Sequence, residues 1–166
     1  MPSTYDKIAA HTLPSNATSY TFSSIPSTYT DLVLIINSNA TSNGEDWFTQ
    51  LNGDTSTNYS YTTIGGTGSG VASSRASSQS QAKLNFYGYN TTTAGEANLL
   101  CQFMNYSNTT TNKIILTRSN AAPNGTSANV ALWRSTAAIN SIKIMTNSAQ
   151  SYVSGSTFTL YGIKAA

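Results

Sequence analysis

The chain has 166 residues, of which only 8% are charged, and its formal net charge is +2. This length predicts a single domain over residues 1–166, large enough to bury a core without disulfides or metal ions. The sequence has no basic cluster that could bind phosphates, so we expect no nucleic-acid partner. It has no apolar run near the ~20 residues of a membrane span, so we expect no membrane partner.

The composition favours strands over helices. Ser, Thr and Asn stand where charged residues are usual, while ten Tyr, five Phe and two Trp supply apolar area. Thr, Tyr, Val and Ile fit a pleated sheet better than the Glu, Lys and Ala typical of helices. No run shows a convincing 3.6-residue period, so we expect an all-β fold.

Alternation of apolar and polar residues marks the strands. The predicted strands in chain order are residues 5–13, 19–25, 32–36, 47–51, 59–64, 83–89, 96–104, 113–118, 128–134, 139–145 and a closing strand within 155–163. In the strand at 113–118 we expect Ile114 and Leu116 to point inward. About nine to eleven short strands at this spacing are typical of a two-sheet sandwich.

The closing strand organises the predicted fold. Phe158, Leu160 and Gly162 fall on one of its faces, and its best partner is the most apolar run, residues 29–36. A terminal strand that pairs inside a sheet with early strands is typical of a jelly roll. We therefore predict a two-sheet jelly-roll β-sandwich in which the C-terminal strand is paired inside a sheet.

Two segments are predicted to lie outside this framework. Residues 65–81 are rich in Gly and Ser and almost free of apolar anchors, which indicates a flexible loop. A short helix is allowed only at 73–83. Residues 1–7 are interpreted as a possible extended N-terminal arm, and we expect no secretory signal because Met1 to Leu13 lacks an apolar core.

No motif supports enzymatic chemistry or a cofactor. His11 is the only histidine, and the lone Cys101 is far from it in sequence, so neither a catalytic triad nor a metal site is indicated. Asp46 beside Glu45, or Asp54 in its Asn-Gly-Asp turn, are weak calcium candidates. The Gly-rich run at 65–70 lacks the lysine of a phosphate-binding loop.

Aromatic and basic residues provide the candidates for contact with a partner. Tyr and Trp are enriched both at protein interfaces and on sugar-binding surfaces, although in a sandwich most alternating aromatics belong to the core. The candidate contact residues are Tyr5, Lys7, Trp47, Tyr59, Tyr61, Arg75 and Trp133.

Several segments, taken together, are familiar. They are residues 5–8 (Tyr-Asp-Lys-Ile), 20–34 (from Tyr-Thr-Phe-Ser-Ser-Ile-Pro to Leu-Val-Leu), 51–54 (Leu-Asn-Gly-Asp) with Asn58 and Tyr59, 138–142 (Ala-Ile-Asn-Ser-Ile) and the ending 156–163. In this order the chain resembles structural proteins of tailed bacteriophages, especially cyanophages, which include capsid decoration (cement) proteins and tail-fibre modules. The chain departs from these phage proteins after Leu34, where residues 35–39 carry fewer charged side chains than the resemblance leads us to expect.

The resemblance implies a non-enzymatic jelly-roll module on the outer surface of a virion, often a homotrimer, that binds the major capsid protein. Because the chain opens with Met1 and shows no coiled-coil or collagen-like shaft, we expect a decoration protein. The alternative is a receptor- or glycan-binding module of a tail fibre. A third possibility, a small glycosidase or lyase using Asp31, Asp54 and Glu96, is the weakest.

Overall fold

The computed structural model describes residues 4–42, 46–86, 97–147 and 150–164. Within these residues the chain forms twelve strands and no helix. The strands are β1 (Tyr5–Thr12), β2 (Ser19–Phe22), β3 (Asp31–Ser38), β4 (Trp47–Leu51), β5 (Tyr59–Gly66), β6 (Val71–Gln79), β7 (Ala82–Lys83), β8 (Ala97–Met104), β9 (Lys113–Ala121), β10 (Gly125–Trp133), β11 (Ile142–Thr146) and β12 (Thr157–Ile163). The described part of the chain has no helix long and apolar enough to cross a membrane.

The strands build two antiparallel sheets. The larger sheet has eight strands in the order β1-β12-β3-β8-β9-β10-β5-β6, and the smaller has four in the order β2-β11-β4-β7. The prediction of an all-β, two-sheet jelly-roll sandwich is confirmed. The strand number slightly exceeds the predicted nine to eleven, because the 65–81 segment contributes a strand of its own.

The closing strand lies inside the larger sheet, as predicted. β12 pairs with β1 on one side and with β3 on the other, and Leu160 stands opposite Leu34. Phe158, Leu160 and Gly162 face the core. Gly162 is required at its position, because a Cβ there would overlap the ring of Tyr29. The last strand is therefore held on both edges and on its inner face.

The core lies between the sheets and forms one apolar cluster. Tyr20 of the smaller sheet stacks on Phe158 of the larger, with ring centroids 5.6 Å apart. The buried hydroxyl of Tyr59 in β5 accepts a hydrogen bond from the Leu51 amide in β4, at 2.9 Å. Contacts of this kind join the two sheets face to face and leave the other face of each sheet outside.

The 65–81 segment corrects the sequence-based prediction of a flexible loop. It forms the end of β5, a tight turn at 67–70 and the nine-residue strand β6. In the turn the Thr67 amide donates to the Gly70 carbonyl at 3.0 Å, and Gly68 adopts a φ of +87° that a residue with a side chain rarely takes. The helix allowed at 73–83 is also absent, because most of those residues belong to β6 and β7.

Two other predictions are resolved in part. Tyr5 to Lys7, expected in a free arm, are paired with β12 inside β1, whereas residues 1–3 lie outside the described residues. Of the strand predicted at 83–89, only Lys83 is in a strand, residues 84–86 are irregular, and 87–89 lie outside the described residues.

Candidate functional site

The outer face of the eight-stranded sheet exposes a group of aliphatic side chains. Ile114 in β9 has Met104 of β8 on one side and Leu132 of β10 on the other, and Leu116 lies opposite Val130. Ile64 of β5 extends the group as the cross-strand neighbour of Ala128. We call this surface the aliphatic patch; its members are Ile64, Met104, Ile114, Leu116, Val130 and Leu132.

The patch is exposed far more than a core would be. Ile64 is 55% exposed, and Ile114 and Val130 are each 44% exposed. A single exposed aliphatic residue is common, but a contiguous group on one face marks an interaction surface in soluble proteins. Met104 and Leu116 are 41% and 40% exposed, and Leu132 is partly exposed.

Strand β9 corrects the predicted orientation at its centre. Ile114 and Leu116 point outward, whereas Lys113, Ile115 and Thr117 point into the sandwich. This side of β9 faces the core because Ile115 packs there and because Lys113 and Thr117 find hydrogen-bond partners there. The buried Lys113 Nζ donates to the carbonyls of Thr111 and Thr136 at 2.7 and 3.2 Å, and burial lowers the pKa of this amine.

Three shallow depressions follow the outer face of the sheet. One of about 620 Å³ is lined by Arg75, Ile114, Val130 and neighbours, and a second of about 680 Å³ by Ile64, Val71 and Ala128 among others. The third, of about 390 Å³, lies at Asn98, Arg118 and Asn120. Within the described residues, Tyr61 is the one aromatic residue lining them. They therefore offer little aromatic surface for stacking on a sugar ring.

The charges on this face are mostly basic and unpaired. Arg75 and Arg118 have no ion pair or hydrogen-bond partner among the described residues, where the ion pairs are Lys83 with Asp46 and Lys164 with Asp6. The acid on the same face, Asp31, accepts a hydrogen bond from the Asn105 amide at 2.6 Å. An acidic group on a partner would therefore meet a free guanidinium here.

The predicted contact residues divide into two groups. Trp47, Tyr59 and Trp133 are at most 2% exposed and belong to the core, so their side chains offer no surface to a partner. Tyr5 and Lys7 lie in the edge strand β1, and Arg75 lies in the opposite edge strand β6. Tyr61 is partly buried and packs against the core. The structure does not gather the four exposed or partly exposed residues into one surface.

The residues weighed for catalysis are occupied by structural contacts. Asp54 accepts hydrogen bonds from the indole of Trp133, the side chain of Asn58 and the Ser56 amide. Burial would raise the pKa of Asp54, but these three donors together hold it below its ordinary value. His11 stacks on Tyr20 with ring centroids 4.1 Å apart.

The remaining chemical candidates give no cluster either. Cys101 is fully buried, and burial raises the pKa of its thiol. No group of three His, Cys, Asp or Glu side chains suited to a metal ion occurs in the described ranges. Glu96, the third acid weighed for glycoside cleavage, lies outside the described residues, as does Glu45.

Comparisons with known proteins leave the family open. No family model matches the chain, and no curated protein matches it. Among solved structures, the galectin LEC-6 of Caenorhabditis elegans is similar at a TM-score of 0.45 and 10% identity, covering 90% of this chain and 94% of that one.

A second solved structure, a mutant of the alginate lyase Aly36B in complex with an alginate trisaccharide, is similar at a TM-score of 0.36 and 12% identity. It covers 93% of this chain and 81% of that one. At these scores neither likeness carries an argument about this chain.

Sequence reasoning missed the aliphatic patch, although a signal was present. In β9 the residues 114–116 are Ile-Ile-Leu, apolar at both alternating positions, and β10 combines Val130 and Leu132 with Ala131 and Trp133. A run that is apolar at consecutive positions is typical of a strand buried on both faces. In the part of the chain that the structure describes, Ile114 and Leu116 remain 44% and 40% exposed.

Proposed function

We propose that the chain is a non-enzymatic structural protein of a tailed bacteriophage, a decoration protein that binds the outside of the capsid. The observation that carries the proposal is the aliphatic patch, a contiguous group of exposed aliphatic side chains on the outer face of the larger sheet. Protein partners cover such surfaces. The sequence resemblance supports a location on a virion, and the patch is the surface through which the protein would attach.

The mechanism is passive. Each copy would place the patch across a junction between major capsid proteins, burying Ile114, Leu116 and Val130 together with capsid side chains. Burial of apolar area contributes roughly 25 cal/mol per Å², so a modest interface suffices when many copies act on one shell. Arg75 and Arg118 would add specificity, because only a partner with acidic groups opposite them would pair with both guanidinium groups.

Rebinding to stripped capsids tests the proposal. Particles from which a mild chaotrope has removed this protein should be more fragile to heat, and added protein should restore their resistance. The double variant Ile114→Ser/Leu116→Ser should fold normally and fail to rebind. Met145→Ser, on the outer face of the smaller sheet, is the matched control and should rebind like the parent.

Two results would contradict the proposal. Stripped capsids that resist heat as well as intact ones would exclude a stabilising role. Undiminished rebinding of the Ile114→Ser/Leu116→Ser variant would show that the patch is not the contact surface. Light scattering of the free protein separately tests the homotrimer that the resemblance implies.

A second candidate is the glycan-binding module of a tail fibre. It is favoured by the depression at Arg118, where the Asn98 and Asn120 side chains also have no partner among the described residues. Free amides and a guanidinium suit the hydroxyl and carboxylate groups of an acidic sugar. The number of copies per virion separates the two: a shell protein is abundant, and a fibre protein is scarce.

A further inference from the structure

Among the described residues, the eight-stranded sheet ends at the edge strand β6. Within the described part of the chain, β5 is the only strand paired with it, and nearly every β6 residue is exposed. Val71, at the start of the strand, is 91% exposed. The free edge of such a strand presents backbone amides and carbonyls that are ready to pair with another strand.

The other three edges are protected in the ways usual for natural sheets. β1 is interrupted by a register shift between Lys7 and Ala9 and carries charges at Asp6 and Lys7. β2 and β7, the edges of the smaller sheet, have four and two residues. Short strands, charges and bulges all discourage pairing with a second chain. Among the four edge strands, β6 is therefore the one that lacks this protection over most of its length.

The residues of β6 are small and almost uncharged. Its nine residues contain no proline and one charged side chain, Arg75. Its one irregularity comes late, where the register with β5 shifts and Ser78 takes a φ of 55°. Residues 71–76 thus form a regular free edge.

We infer that β6 pairs antiparallel with β6 of a second copy of this chain, about a two-fold axis at Ser73. In that register Arg75 of each copy lies opposite Val71 of the other, and Ser73 lies opposite its own counterpart. A two-fold contact of this kind is self-complementary and closes after two copies. The two larger sheets become one continuous sheet.

The charges and shapes on the edge select a second copy as the occupant. The register keeps the two Arg75 guanidinium groups apart, so no like charges face each other across the seam. The alkyl stem of each Arg75 lies over the exposed Val71 of the other copy, beside the 680 Å³ depression that Val71 lines with Ile64. On the opposite face, Ala72, Ser74 and Ala76 are too small to collide.

The pairing uses none of the residues at the centre of the aliphatic patch, although it shares Arg75 with the proposed capsid contact. It joins copies in twos.

Disulfide cross-linking of single-cysteine variants tests the register. Cβ atoms directly opposite each other in an antiparallel pair are about 4.5–5.5 Å apart, and diagonal ones about 7–8 Å. Ser73→Cys should therefore give a covalent dimer under mild oxidation, while Ser74→Cys, the matched control on the other face, should stay monomeric on a denaturing gel. The native Cys101 is 0% exposed and does not interfere.

Charge substitution tests the association itself. Ser73→Lys and Ser73→Asp should each abolish the pairing in sedimentation velocity, and an equal mixture of the two should restore it. Thr110→Asp, in an exposed loop, should pair like the parent. Absence of the Ser73→Cys cross-link, a cross-link at Ser74→Cys instead, or sedimentation unchanged by Ser73→Lys would each overturn the inference.

Discussion

The two faces of the eight-stranded sheet reverse the usual distribution of polarity in β9 and β10. The inner face carries buried polar residues there, including Lys113, Thr117 and Ser119, while the outer face carries Ile114 and Leu116. Several of the inner polar groups are satisfied locally: the Thr117 hydroxyl donates to the Leu84 carbonyl at 2.7 Å, and the Ser119 and Ser127 hydroxyls hydrogen-bond to each other at 2.5 Å. The buried side-chain amide of Asn129 in β10 is an exception, since it has no hydrogen-bond partner among the described residues. Residue type alone therefore does not decide which face is buried.

This difference between the two faces bears on function. Lys113, Thr117 and Ser119 are tolerated inside because each has a hydrogen-bond partner there. Aliphatic residues remain outside because nothing in the described chain covers them. This exposed surface on the larger sheet is therefore the one through which we propose that the protein binds its partner.

The sharpest test replaces the same residue type on the two faces. Leu160 on the inner face is fully buried, and Leu116 on the outer face is 40% exposed. Leu160→Ala should lower the free energy of unfolding by about 2–5 kcal/mol through lost burial and a cavity. Leu116→Ala should change it by at most about 0.5 kcal/mol.

Urea denaturation of both variants measures this difference. Equal destabilisation would show that the outer face is buried in the protein as it exists in solution. A second copy covering the patch would produce that result, and its effect would depend on protein concentration.

A smaller effect is expected where the inner face has no room. Gly162→Ala places a methyl group onto the ring of Tyr29, and such overpacking costs roughly 1–3 kcal/mol. Gly155→Ala is a useful comparison, since Gly155 has a φ of 88° but open space around its Cβ position, so strain there comes from the backbone alone. Thermal unfolding of the Gly162 variant at the parent's midpoint would show that the ring moves freely aside.

The smallest effect concerns the Asp54 contact that anchors Trp133 at the end of the inner face. Asp54→Asn turns one accepting oxygen into a donor, so it loses a charge-assisted hydrogen bond at a partly solvated site and should cost about 1 kcal/mol at neutral pH. The lowered pKa of Asp54 means that its contribution to stability is present above the ordinary carboxyl pKa of 3.8 and is lost as the pH falls through the lower pKa of the folded state.

The difference in unfolding free energy between parent and Asp54→Asn should therefore shrink as the pH falls below 3.8. Denaturant titrations across the acid range measure it. A difference that stays constant with pH would mean that the carboxylate charge does not contribute. Asn58→Ala, which removes one of the donors to Asp54, should show the same trend in weaker form.

Local patterns were enough to predict much of the fold. Alternation identified the closing strand and its inward residues, and the long apolar run identified β3 as its partner. The Asn52-Gly53 turn was also readable, because both residues adopt positive φ, which Asn and Gly do at least cost, and the Asp54 amide donates to the Leu51 carbonyl at 2.9 Å. These features depend on neighbours in sequence.

The hairpin of β5 and β6 and the orientation of β9 were not readable in the same way. Ser, Gly and Ala in 65–81 have little propensity of their own, so pairing with β5 and not composition makes β6 a strand. The apolar run Ile114-Ile115-Leu116 fits either face, and an alternating pattern cannot choose between two apolar sides.

The sequence by itself determined an all-β sandwich closed by its last strand, because period-two alternation and turn residues are local properties of the chain. Only the tertiary structure decided which side of β9 faces the core. It placed the aliphatic patch on the outside, because that choice depends on which distant segments supply hydrogen bonds and cover. The same packing buries Trp47, Tyr59 and Trp133 in the core, although the sequence had made them candidates for contact with a partner.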